Sequence, residues 1–200
     1  MKAIALTAIA ALLGACSSTA PTPKQNPVSL TLAGDYTVTQ NGQTYTLNNF
    51  TTPTINGVRL NRLRTGSTGF ETAYGFSNPD VTVIGGMANG TYISGLTGTQ
   101  TSGLGTARTL NLTGIYGVNS SGNTEFGAIS LTANLVASKL TGSSVSVNVD
   151  ANITGASISG TMSYNGTAGT LRGGFYGNTT APTVAATVTG TNLAGILVAN

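Results

Sequence analysis

From about Thr106 to the end of the chain, apolar and small residues return at every second position, in short runs that break at turn signals. That period belongs to strands whose two faces meet different surroundings. No long segment carries the 3.6-residue period of an amphipathic helix, so the chain reads as all-β. Eight runs can be followed: Leu110, Leu112 and Tyr116; Phe126, Ile129 and Leu131; Leu135 to Leu140; Val145, Val147 and Val149; Ile158, Met162 and Tyr164; Leu171, Phe175 and Tyr176; Val184, Ala186 and Val188; Leu193, Ile196 and Val198. Eight antiparallel strands close into a barrel that side chains can just fill. Closure also removes the unpaired edges that a chain with only 6% charged residues has little charge to protect. In "GGFYG", Gly173, Gly174 and Gly177 would let a strand coil sharply, and Phe175 would fill the space beside them.

Upstream the pattern is less even. In "DYTVTQNGQTYTLNN", Tyr36 and Val38 alternate into Asn41-Gly42 and Tyr45 and Leu47 alternate out of it, a two-residue hairpin of type I′. "INGVRLNRLRTG" and "VTVIGGMANGTYISG" hold two further Asn-Gly pairs with weaker frames. Residues 28–103 therefore read as a small β-rich domain beside a barrel over residues 104–200.

The first residues read differently. Lys2 supplies a short positive region, and Ala3 to Leu13 are apolar but too short for a permanent membrane span. Residues 1–15 read as a signal peptide. "LGAC", Leu13 to Cys16, resembles the bacterial lipobox, in which a cysteine is acylated and becomes the new N-terminus. Cys16 is the only cysteine, so it has no disulfide partner within the chain. Two or three acyl chains hold a protein at a bilayer durably. Residues 16–27, rich in Pro, Ser and Thr, read as the lipidated N-terminus and a tether. Ser17, where an aspartate tends to retain lipoproteins in the inner membrane, points to the outer membrane.

"LRGGFYGNTTAPTVAATVTG" closed by "LAGILVAN", with "TSGLGTARTLNLTGIYG" and "EFGAISLTANLVASKLTG" before it, resembles the barrel domain of transferrin-binding protein B and the small transferrin-binding-protein-like surface lipoproteins. Asn178 stands where that family usually carries proline. The resemblance implies that residues 28–103 are the family's "handle" domain. It also implies a non-enzymatic protein on the outer surface, delivered by a surface-lipoprotein translocon. Its partners would be a host protein or an iron or haem carrier, and a TonB-dependent receptor.

Composition limits the chemistry. There is no histidine, and the one cysteine is assigned to lipid, which removes His metal ligation and any Ser-His or Cys-His nucleophile. Asp35, Glu71, Asp80, Glu125 and Asp150 are widely spaced, with no calcium-loop cluster. The reading is of a protein that is not an enzyme and has no resident cofactor. Haem held by Tyr74, Tyr92, Tyr116 or Tyr176 stays open. Eight basic and five acidic side chains give +3, and loss of Lys2 with the signal leaves seven against five, or +2. With no basic stripe carrying stacking aromatics, the chain does not read as a nucleic-acid binder.

Arg59, Arg62 and Arg64 crowd three of those seven charges into "VRLNRLRTG". They read either as solubilising charge or as an anionic contact, to a partner's acidic patch or a lipid phosphate. Two function classes stand: a surface lipoprotein that binds a macromolecule through loops, and a structural or accessory envelope lipoprotein without an exogenous ligand. A membrane-spanning barrel fits poorly, because the strands look short and tryptophan is absent.

Overall fold

The computed structural model describes residues 28–29, 31–32, 37–40, 43–46, 48–51, 53–64, 73–88 and 90–200, with side chains over 53–62, 73–87 and 90–200. Cys16, Asp35, Glu71 and the Asn41-Gly42 pair lie outside the described residues.

Among the described residues there are seventeen strands. β1 (Val28–Ser29), β2 (Thr31–Leu32), β3 (Thr37–Gln40), β4 (Gln43–Thr46), β5 (Asn48–Thr51), β6 (Asn61–Arg64), β7 (Ala73–Ser77), β8 (Val81–Ala88) and β9 (Thr91–Gly98) come first. β10 (Thr109–Ser120), β11 (Asn123–Asn134), β12 (Lys139–Ser143), β13 (Val147–Thr154), β14 (Ser157–Tyr164), β15 (Thr167–Tyr176), β16 (Thr183–Gly190) and β17 (Leu193–Ala199) follow. β10 to β17 close in sequence order into an eight-stranded antiparallel barrel, β10 pairing with both β11 and β17. The earlier strands form a six-stranded sheet in the order β1-β9-β8-β7-β6-β5 and a three-stranded sheet β2-β3-β4.

Alternation dictates the barrel's two faces. Leu112, Tyr116, Ile129, Leu131, Val149, Met162, Leu171, Phe175, Val188 and Leu197 point inward and pack into one core. Away from the six-stranded sheet, the outward positions are mostly Ser, Thr and Asn with a few charged residues, as in the row Asn111, Thr132, Thr141, Asp150, Thr161, Thr170. A membrane-spanning barrel needs the reverse, an apolar outer band. This wall is built for water.

Where the inside narrows, side chains give way to backbone. A Cβ on Gly173 would stand 2.1 Å from the carbonyl oxygen of Ala185, so only glycine lets β15 lie against β16 there. Phe175 and Tyr176 then take opposite faces: Phe175 joins the barrel core and Tyr176 the core between barrel and sheet. The paired aromatics of "GGFYG" thus serve two cores at once.

That second core joins the six-stranded sheet to the outside of β10, β16 and β17. Val58, Leu60, Tyr74, Val81 and Val83 meet Ile115, Tyr176, Ala185, Ile196 and Val198. At its centre the backbones touch: a Cβ on Gly85 would stand 2.3 Å from the carbonyl oxygen of Gly195. Asn56 and Gly57, both at positive φ in the tight turn closed by Ile55 and Val58, add a polar tie: the Asn56 amide donates to the Gly114 carbonyl at 3.1 Å.

Two of the eight runs start or end elsewhere than in the sequence reading, and in three others Phe126, Tyr176, and Ile196 with Val198 face the sheet instead of the barrel core. Leu135 to Leu140 is mostly a turn: residues 135–138 connect β11 to β12, Leu135 tucks under the barrel and Val136 is 72% exposed. Val145 belongs to the β12–β13 turn and is fully exposed, so β13 begins at Val147. Both are apolar residues that turn geometry holds off the strand, which periodicity alone cannot register. The hairpin read around Asn41-Gly42 is present, with Gln40 opposite Gln43.

Candidate functional site

Strand direction gives the barrel two unlike ends. At the upper end, residues 121–122, 144–146, 165–166 and 191–192 make short turns; at the lower end, residues 135–138, 155–156 and 177–182 join the strands, and residues 99–108 lead in. Ser121 with Gly122 and Asn165 with Gly166 are pairs at positive φ, as type I′ turns require.

Glu125 sits at the upper end, in phase with the inward Ile129 and Leu131, so its carboxylate turns into the barrel mouth. Tyr116 on β10 donates its hydroxyl to Oε1, and Tyr164 on β14 donates to Oε2 at 2.7 Å. The Ser146 hydroxyl, from the β12–β13 turn, also hydrogen-bonds the carboxylate. Burial pushes the Glu125 pKa up, but the bonds from Tyr116, Tyr164 and Ser146 outweigh it and hold the group below its ordinary value. Tyr164 is pushed up to about 12, by burial first and then by its bond to Glu125. One anionic side chain thus ties neighbouring elements across the mouth, each of its two oxygens accepting a tyrosine hydroxyl.

The four tyrosines considered for haem are all packed away: Tyr74 is 1% exposed, Tyr116 and Tyr176 3%, and Tyr92 4%. The Tyr74 ring covers Gly117 and lies 5.9 Å from Phe126, centroid to centroid. Its pKa rises to about 12 because burial outweighs the opposing pull of Arg62. Burial likewise raises Tyr176. All four rings are packed against neighbouring side chains or backbone, with little surface left open. Among the described residues no three His, Cys, Asp or Glu side chains gather as a metal site.

The arginines divide by strand phase. Arg62 pairs with Tyr74, which faces the barrel, and so stands on that side of the sheet. Val58 and Leu60 are buried in the same interface, which turns the exposed Arg59 to the other side, where its Nε donates to the Thr54 hydroxyl at 3.2 Å. Arg64 shares the backbone phase of Arg62, and its side chain lies outside the described residues.

On the outer wall a shallow groove of about 760 Å³ crosses β11 to β15, lined among others by Ser130, Thr141, Ser143, Asn148, Asp150 and Thr161. It is open and lined mostly by short polar side chains. The exposed pair Lys139–Asp150, at 3.0 Å, lies beside it and adds little stability.

Sequence reading placed Glu125 among scattered carboxylates and Tyr164 in a strand without linking them. The available signal was phase: a carboxylate an even number of residues from Ile129 and Leu131 has to face inward, where it needs partners.

No protein-family model matches the chain, and no curated protein does. Among solved structures, the apo haemoglobin receptor HpuA from Kingella denitrificans is similar at a TM-score of 0.41 and 15% identity, over 74% of this chain and 80% of that one.

Proposed function

We propose that the chain is an outer-membrane lipoprotein, anchored through Cys16 and displayed at the cell surface, that binds a macromolecule on its outer face. One observation carries the reading: the barrel interior is filled by its own side chains, so a ligand has to meet loops and walls, not a lumen. Glu125 and its two tyrosine partners span the mouth, and the walls away from the sheet are hydroxyl-rich with few charges. Such a body offers a rigid scaffold and little reactive chemistry.

The partner class follows the resemblance of residues 104–200 to transferrin-binding-protein-like domains: a host protein or an iron or haem carrier, with a TonB-dependent receptor in the same membrane. Arg59, together with Arg62 and Arg64 on the opposite phase, would supply an anionic contact. The test is retention of a macromolecule by the lipid-free domain from host fluid. Haemoglobin, the protein for which HpuA is named as receptor, belongs among the probes. Retention that falls when all three arginines become Ser, with an unchanged melting temperature, supports both the reading and that contact. No retention from host fluid or from the cell's own solubilised membrane favours a structural envelope role.

A further inference from the structure

The first described strand shows from which end of the molecule an anchor has to leave. β1 runs parallel to β9, with Val28 opposite Ile93 and Ser29 opposite Ser94. β9 runs from the upper end to the lower: Gly85, opposite Ser94, packs against Gly195 near the top of β17, whereas Gly98 packs beside Tyr176 at the foot of β15. β1 therefore starts on the side of the upper end, that of the short turns and Glu125, and runs toward the lower end.

Resting on the reading of Cys16 as the anchor, we propose that the barrel mouth faces the anchoring membrane and that the lower end faces outward, as a contact surface, separate from Arg59, Arg62 and Arg64, for a protein partner with an acidic face. Reach supports the orientation. Residues 16–27 span at most about 40 Å when fully extended, and β10, with 12 residues, is itself about 40 Å long. Barrel strands tilt by about 40°, so turning the lower end to the membrane would still use more than half of the tether.

The lower end is built as a contact surface. It carries the longer connections, and these are tied to one another. The Thr101 amide donates to the Phe175 carbonyl at 2.8 Å and its hydroxyl to the Gly177 carbonyl at 3.1 Å; Arg108 donates to the Thr179 carbonyl; the Leu135 amide donates to the Arg108 carbonyl at 3.0 Å. Loops fixed in this way lose little entropy on binding. All three basic side chains of residues 104–200, Arg108, Lys139 and Arg172, belong to this half. Lys139 and Arg172 share one cross-strand row through Asn152 and Ser159, and Arg108 directly precedes β10. Two carboxylates stand near them: Asp150, held by Lys139, and the exposed Asp80 beside Gly177. Three cations stand against two carboxylates there; Lys139 is paired with Asp150 and Arg108 is half-buried against Thr179, which leaves Arg172 as the exposed charge, with the exposed Val136 as an apolar point at the same end.

The experiment uses single thiols at Val136 and Val145, both exposed and at opposite ends. The full lipidated chain carrying Val136→Cys or Val145→Cys is labelled with a fluorophore and placed in phosphatidylcholine–phosphatidylglycerol vesicles containing a headgroup nitroxide. Quenching several-fold greater at position 145 is expected; equal quenching, or more at 136, overturns the orientation. Poly-L-glutamate then serves as an acidic partner for the lipid-free domain at low salt. It should shift the label at 136 and not at 145, and the Lys139→Ser, Arg172→Ser double variant should lose most of that shift. No shift at 136, or the same shift in the double variant, overturns the acidic contact. Neither result depends on whether host fluid yields a ligand.

Discussion

Glu125 is the residue at which charge and fold meet. Its pKa is held below the usual 4.5, so the sign is fixed: its contribution is present above the unfolded value and is lost as pH falls through the folded one. Tyr164 works oppositely, because a pKa raised from 10.0 to about 12 favours the folded state until alkali removes the proton. Wild-type melting temperature should therefore decline on the acid side below about pH 4.5 and on the alkaline side between about pH 10 and 12. Glu125→Leu should cost about 1–3 kcal/mol at neutral pH, because two phenols lose their acceptor, and should flatten the acid limb. An acid limb unchanged in Glu125→Leu would remove this residue from the account. Gly85 gives a second residue-scale test. A methyl group placed 2.3 Å from the Gly195 carbonyl oxygen has to push the sheet off the barrel, so Gly85→Ala should destabilise by about 1–3 kcal/mol in urea unfolding.

At the scale of the strand, Phe175 and Tyr176 separate the two cores. Phe175→Ala empties the barrel interior and should cost about 3–5 kcal/mol, whereas Tyr176→Ala opens only the sheet–barrel interface. Amide hydrogen exchange should then rise in β14 to β16 for the first and in β8 and β9 for the second; the same pattern in both variants would deny separate cores. Much of this was legible in the sequence. Alternation with glycine turns located β10, β11 and β14 to β17, because a strand with one buried face leaves that trace at every second residue. It failed at Leu135, Val136 and Val145, where apolar residues sit in turns. It also left Ile196 and Val198 in one face with Leu193, although they face the sheet and Leu193 the barrel core. Both faces of β17 are buried, so alternation there carries no sign. The Glu125 cluster joins β10, β11, the β12–β13 turn and β14, and no local pattern reports a contact that closure of the barrel creates.

The described residues form a filled barrel with a six-stranded sheet packed on its side, and a three-stranded sheet besides. Residues 104–200 read as a separate domain, and their 23-residue internal core supports independent folding. Ile115, Ala185, Ile196 and Val198, however, would be stripped of their cover. The isolated fragment should show a β-type circular dichroism spectrum and cooperative melting, with a lower melting temperature and self-association that the full domain lacks; a fragment with no transition would mean that the barrel needs the sheet. Anchoring is tested by Cys16→Ser, which should abolish palmitate labelling and release the protein to soluble fractions. The central claim, a rigid scaffold displayed for binding, is met most directly by adding protease to intact cells and following the folded part, residues 28–200. Degradation without opening the outer membrane, at sites in the lower-end loops 135–138 and 177–182 before the short upper turns, is the predicted result. Resistance until the outer membrane is permeabilised would place the fold in the periplasm and contradict it.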